Sequence, residues 1–146
     1  MKAAAAAAML FAAAAAPGAA ADGLSSVMWE FRPLLIFAPS DDAARLSRQT
    51  TMLADEAAGM TDRKMGVFIV ERNRVFTTFG APALRADARA VRLRYRVPDD
   101  AFTVILVGLD GGAKLRVDAP VAPEKRSALI DWMPMRRREL RQRGDL

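Results

Sequence analysis

Residues 32–42 read RPLLIFAPSDD, and this stretch decides the fold. Leu34 to Phe37 is apolar without interruption, which is typical of a strand buried on both faces of a sheet. Pro33 is tolerated at the first position of such a strand, and Pro39 ends it. The stretch therefore predicts a buried strand that leads directly into a helix.

The residues after Pro39 predict how that helix begins and ends. Ser40 is a favourable N-cap, and Asp41 and Asp42 would lie in the first turn, where the helix dipole favours negative charge. Gly59 is the natural residue to end the helix. The inward stripe at helical spacing comprises Leu46, Thr50, Leu53 and Ala57.

Four further segments have the apolar or alternating pattern of strands. They are Met65–Val70, Val75–Thr78, Phe102–Val107 and Lys114–Val117. A turn at residues 72–74 separates the first two, and Asp110-Gly111-Gly112 predicts a hairpin between the last two.

Two more helices are predicted in the second half of the chain. Asp87 caps the first, whose inward residues are Ala88, Val91 and Tyr95. Pro123 begins the second, and Pro134 interrupts it before a short basic helical segment, Met135–Arg143. The inner side of the helix that begins at Pro123 comprises Ala122, Leu129, Ile130 and Met133.

The element order is therefore β-α-β-(β)-α-β-β-α, which predicts an α/β thioredoxin-like fold. We expect three layers, with a central mixed sheet of four to five strands and helices on both faces. The first connections should be right-handed crossovers that give parallel pairs, and the hairpin should make the final pair antiparallel.

Three motifs in this order resemble one family of exported bacterial proteins, domain-of-unknown-function family 4174. They are Trp29 with RPLLIFAP at 32–39, FTVILVG at 102–108 with Asp110-Gly111-Gly112, and MPMRRRE at 133–139. The resemblance covers residues 27–142. It extends to the DUDES modules of secreted vertebrate matrix proteins, which are distantly similar to peroxiredoxins. It implies a thioredoxin-like fold and secretion, with no established activity.

The sequence departs from active thioredoxin-like enzymes at both halves of their redox site. The strand-to-helix junction, Ala38–Asp42, contains no cysteine, and Asp100–Thr103 places no proline beside the third core strand. The 146 residues contain no cysteine and no histidine. This composition excludes thiol-disulfide oxidoreductases, thiol peroxidases and Cys/His zinc sites. We predict no cofactor and no metal.

The first 21 residues have the layout of a secretory signal peptide. Lys2 is followed by an apolar run, Ala3–Ala16, which is shorter than the 20 or so residues that a membrane span needs. We expect cleavage near Ala21, a periplasmic or secreted protein, and no integral membrane span afterwards. The alternative is an alanine-rich core helix. The predicted division is a signal peptide at 1–21, a domain at 22–133 and a basic C-terminal tail at 134–146.

The net charge of +5 is concentrated in that tail, so a specific nucleic-acid site is not expected. Arg136, Arg137, Arg138 and Arg141 are candidate contacts for an anionic surface or an acidic protein partner. The alternatives are a solvated extension, or a contact back onto the domain with Trp132, Met133 and Met135 as packing residues. We expect a monomer.

The candidate ligand edge comprises Ser40, Asp41, Asp42 and Thr103. Asp41 and Asp42 are either helix-capping residues or a carboxylate pair for acid–base chemistry or cation binding. The sequence favours a non-catalytic binding or structural module. The alternatives are an adaptor that docks through its arginine-rich tail, or an enzyme that depends on Asp41 and Asp42.

Overall fold

The computed structural model describes residues 23–146, so the predicted signal peptide at 1–21 lies outside the described residues. The strands are β1 (Arg32–Ala38), β2 (Met65–Glu71), β3 (Arg74–Phe79), β4 (Thr103–Val107) and β5 (Ala113–Val117). The helices are α1 (Ala43–Ala54), α2 (Ala57–Asp62), α3 (Ala88–Tyr95), α4 (Pro123–Asp131) and α5 (Pro134–Arg143). Within residues 23–146, no helix has the length and apolar character needed to cross a membrane.

The five strands form one mixed sheet in the order β3-β2-β1-β4-β5. β1 pairs with β2 in parallel, and the other three pairs are antiparallel. This topology confirms the predicted α/β class and is consistent with a thioredoxin-like fold.

The direction of β4 corrects the expectation that the early connections give parallel pairs. β4 runs antiparallel to β1, with Leu34 opposite Leu106. The β2–β3 hairpin returns the chain to the amino end of β1, and α3 then carries it to the carboxyl end. β4 must therefore enter the sheet from that end and run in the opposite direction.

Side chains of β1 alternate between two apolar clusters, one on each face of the sheet. Leu35 and Phe37 pack with Val91 of α3. On the other face, Leu34 and Ile36 share a cluster with residues of α1, α2 and α4. This two-sided burial explains the uninterrupted apolar run and places helices on both faces.

Helix α1 begins later and ends earlier than the sequence predicts. The amide of Asp42 donates to the carbonyl of Pro39 (3.1 Å), so the chain makes a turn there, and Asp42 rather than Ser40 is the N-cap. The helix stops at Asp55, and Gly59 lies inside α2 instead of ending α1.

The break also changes which side chains of α1 and α2 face inward. Ala57, predicted to be inward, is exposed, whereas Gln49 is fully buried. The Gln49 amide donates to the Val121 carbonyl (3.3 Å) and accepts from the Val121 amide (2.7 Å). These two bonds satisfy the buried polar group.

The remaining turn and helix-start predictions are confirmed. Asp87 caps α3 by accepting from the amides of Arg89 (2.8 Å) and Ala90 (3.2 Å). Pro123 is at the start of α4. The β4–β5 turn places Gly111 in the left-handed region (φ +81°), where glycine is favoured.

The inner side of α4 contains a residue that the sequence did not predict to be buried. Ala122 is exposed, and Arg126 is fully buried on the inward stripe with Ile130. The Arg126 nitrogens have no hydrogen-bond partner among residues 23–146. Burial lowers the pKa of its guanidinium. An unpaired buried cation destabilises the folded state.

Candidate functional site

A groove of about 1420 Å³ lies beyond the carboxyl ends of β1 and β2, and we call it the strand-end groove. One side is formed by Pro39–Asp41 and the other by the β2–β3 turn at Arg72 and Asn73. Residues of α3 and the segment Val97–Asp100 complete it. The groove therefore lies at the junction where thioredoxin-like redox enzymes are expected to hold cysteine.

The groove carries charges of both signs. Its arginines are Arg72, Arg89, Arg92 and Arg96, and its aspartates are Asp41, Asp87, Asp99 and Asp100. The buried side chain of Arg92 lies 3.6 Å from the Asp99 carboxylate. Arg72, Arg89 and Arg96 are exposed and have no ion-pair partner within the described part of the chain. They are available to a ligand.

Two of these arginines have a backbone conformation that is uncommon outside glycine. The φ angles of Arg72 and Arg96 are +50° and +54°, in the left-handed region. Both carbonyls are held: Arg92 donates to the carbonyl of Arg72, and Arg116 donates to that of Arg96 (2.9 Å). These two hydrogen bonds therefore fix the backbone of the rim at Arg72 and Arg96.

The structure places only two of the four predicted ligand-edge residues in the groove. Ser40 and Asp41 are exposed there. Asp42 caps α1, and its other carboxylate oxygen lies 2.5 Å from Arg45 Nη2. Thr103 is buried, and its hydroxyl donates to Asp118 (3.4 Å). No group of three or more carboxylates arranged to hold a metal ion occurs within residues 23–146.

At the opposite end of β1, Arg136 of α5 is the centre of an ion-pair cluster that we call the α5 clamp (Arg32, Asp62, Asp131, Arg136 and Glu139). Arg136 is 2% exposed, and each of its side-chain nitrogens has a partner. Nε bonds Asp131 (3.3 Å), Nη1 donates to the Asp62 carbonyl (2.8 Å), and Nη2 bonds the Asp62 carboxylate (2.5 Å). A buried arginine with this many bonds is a structural contact of α5 with the domain.

Glu139 extends the clamp to the first residue of the central strand. Its Oε1 lies 3.2 Å from Nη2 of Arg32, a side chain 1% exposed, and 3.5 Å from Lys64 Nζ. Arg32 also donates to the carbonyl of Arg63 (2.9 Å). Two of the three motifs that carry the resemblance therefore meet in one ion pair.

The clamp divides the arginines of α5 between two faces. Arg136 and Arg143 face the domain, where Arg143 Nη1 lies 2.6 Å from Asp62. Arg137, Arg138 and Arg141 are exposed and have no ion-pair partner among the described residues. The segment therefore contacts the domain through Arg136 and Arg143. Of the predicted partner contacts, Arg137, Arg138 and Arg141 remain candidates, and Arg136 does not.

Trp132 is 74% exposed, so it does not pack against the domain as one of the alternatives for the C-terminal segment predicted. The Arg137 guanidinium lies over the indole, 5.5 Å from the ring centroid. Met133 does pack against the core.

Comparison with family models matches residues 23–139 to the domain of unknown function DUF4174. The chain belongs to the DUF4174 family. Neither a curated protein nor a solved structure matches it. The match to the DUF4174 model ends at Glu139, so it includes α5 as far as the clamp.

The carboxylates of the clamp in this DUF4174 domain have lowered pKa values. Hydrogen bonding to Arg143 is the main cause of the lowered pKa of Asp62. Burial raises the pKa of Asp131 and Glu139, but hydrogen bonds from Arg63 and Arg32, respectively, lead the opposing effects that lower both. All three groups therefore favour the folded state when they are ionised.

Substitution by methionine should have opposite effects on stability at two of the buried arginines, Arg136 and Arg126. Arg136→Met leaves the clamp carboxylates without their central cation and should lower the free energy of unfolding by about 3 kcal/mol. Arg126→Met removes an unpaired buried charge and should raise it by about 1 kcal/mol. Urea unfolding of residues 22–146 measures both.

Arg138→Met, at an exposed position on the same helix, is the control and should change that free energy by less than about 0.5 kcal/mol. Equal effects of Arg136→Met and Arg138→Met would show that α5 is not clamped.

The clamp should also make the domain sensitive to acid. Because the folded-state pKa values of Asp62, Asp131 and Glu139 are lowered, the stabilisation is fully present above about pH 5 and is lost as the pH falls through the lowered values. We expect the urea midpoint to fall between about pH 5 and about pH 3. Glu139→Gln removes one titrating group and should make the decrease smaller. A midpoint that stays constant or rises in this range contradicts the assignment.

Proposed function

We propose that this DUF4174 protein is an exported, non-catalytic binding module that holds its ligand in the strand-end groove. The observation that carries the proposal is the position of the groove. Open α/β sheets bind ligands beyond the carboxyl ends of their parallel strands, and β1 and β2 are the parallel pair of this sheet. The groove lies beyond those two ends.

The chemistry of the groove supports binding more than catalysis. Among the described residues that line it, Ser40 alone has a hydroxyl side chain, and the chain has no histidine to activate it and no cysteine. The acid–base hypothesis needs Asp41 and Asp42 as a pair, but Asp42 is engaged by the amide and the guanidinium of Arg45.

The rim of the groove supports recognition of a ligand that has an acidic group. Arg72, Arg89 and Arg96 lie there without an ion-pair partner among residues 23–146, and guanidinium groups bind carboxylates and phosphates through paired hydrogen bonds. The Leu93 side chain, 70% exposed, lies among them and offers an apolar contact.

Export is supported by the layout of residues 1–21, with a basic Lys2, an apolar run and small residues before Asp22. A second candidate function, an adaptor that docks on anionic groups through α5, is supported by the outward position of Arg137, Arg138 and Arg141.

The groove is tested by co-purification from the exported fraction with three matched proteins. They are residues 22–146 unchanged, the groove variant Arg72→Gln/Arg89→Gln/Arg96→Gln, and the control variant Arg48→Gln/Arg74→Gln/Arg85→Gln. Both variants remove three exposed arginines and therefore the same charge. We expect a ligand that stays with the unchanged and control proteins and is recovered at least tenfold less with the groove variant.

Equal recovery with the groove and control variants would overturn the groove as the site. Peroxide, disulfide or ester turnover above background that is lost in Asp41→Ala would overturn the non-catalytic assignment.

A further inference from the structure

The outward side of α5 is cationic because the carboxylates of the clamp, which could neutralise its arginines, are paired with other arginines. Asp62, Asp131 and Glu139 are all paired with arginines that face the domain. The helix therefore presents Arg137, Arg138 and Arg141 without a nearby unpaired carboxylate from the clamp.

An exposed aromatic side chain lies beside these cations. Trp132 immediately precedes Met133, the N-cap of α5, and is 74% exposed, with the Arg137 guanidinium 5.5 Å from its ring centroid. Trp132, Arg137 and Leu140 border a shallow depression of about 570 Å³, together with Leu146, which is 66% exposed. Asp62, Asp131 and Asp145 also line it, and each is paired with an arginine: Arg136, Arg63 and Arg143, respectively. We call the exposed side chains of Trp132, Arg137, Arg138 and Arg141 the α5 outer surface; of the three arginines, Arg137 borders the depression.

The clamp also fixes the geometry of this surface. Helix α5 is held at Arg136, Glu139 and Arg143, which lie at intervals of one turn on its inner side. The outer residues are therefore presented on a helix that is already formed, and docking requires little additional ordering.

We propose that the α5 outer surface docks on anionic phospholipid membranes, with Trp132 at the level of the headgroups and the three arginines at the phosphates. The inference develops the adaptor candidate above and is independent of the groove. Tryptophan is enriched at membrane interfaces because its ring is apolar and its N–H is polar. Basic residues close to the surface supply the electrostatic attraction. An acidic protein partner would be bound by the same cations but would not require an exposed indole.

The test uses Trp29→Phe in residues 22–146, which leaves Trp132 as the one tryptophan of the chain. This protein is titrated with vesicles of phosphatidylglycerol and phosphatidylcholine, with vesicles of phosphatidylcholine alone, and with soluble polyglutamate. Sedimentation measures binding, and tryptophan emission reports whether Trp132 enters an apolar environment.

We expect binding to the anionic vesicles with a blue shift of Trp132, and binding that weakens steeply as salt is raised. Arg137→Gln/Arg138→Gln/Arg141→Gln should weaken binding by a factor on the order of 100, from the loss of three cations near the membrane. The control variant Arg48→Gln/Arg74→Gln/Arg85→Gln removes the same charge elsewhere and should weaken it much less.

Equal weakening by the two triple variants overturns the proposal, as does binding that does not distinguish anionic from neutral vesicles. Binding to polyglutamate without binding to anionic vesicles also overturns it but leaves the adaptor candidate standing. Binding to neither, with ligand recovery through the groove intact, removes the adaptor candidate and not the groove.

Discussion

The burial of β1 on both faces is the constraint on which the rest of the structure depends. Leu34 to Phe37 are almost completely enclosed between the two helical layers, so polar chemistry is confined to the two ends of the strand. At the carboxyl end the chain emerges at Pro39 and forms the strand-end groove. At the amino end Arg32 is itself buried and requires the Glu139 carboxylate as its partner.

Because the buried Arg32 requires a carboxylate partner and Glu139 supplies it, the C-terminal helix α5 belongs to the domain. Arg32 and Glu139 are 107 residues apart in the chain, and Glu139 supplies the carboxylate that pairs with the buried Arg32 guanidinium. The arginines of one short helix consequently have different roles. Two of them stabilise the fold, and three face outward, so the basic character of the segment is only partly available to partners.

The sequence predicts the elements whose signals are local. The strand β1, the Asp87 cap, the Gly111 turn and the Pro123 helix start depend on residues close together in the chain, and the structure confirms all four. Asp42 caps α1 because the chain makes a turn at Pro39 before the helix begins. Neither Ser40 nor Asp42 indicates that turn in the sequence.

The contacts between distant segments were not predictable in the same way. Arg126 lies at the helical spacing of an inward residue, but its charge argues against burial. Nothing in the sequence around Arg136 indicates that Asp62 and Asp131 lie beside its side chain. The groove combines Ser40 and Asp41 with arginines of a turn and of α3, whose backbone angles no local pattern indicates.

The most direct test of this account is hydrogen exchange at the backbone amides of Glu139 to Arg143 at neutral pH. If the clamp joins α5 to the domain, these amides exchange as slowly as those of the neighbouring helix α4. If they exchange at the rate of an unstructured peptide while α4 stays protected, the segment is a solvated extension and the central claim is wrong.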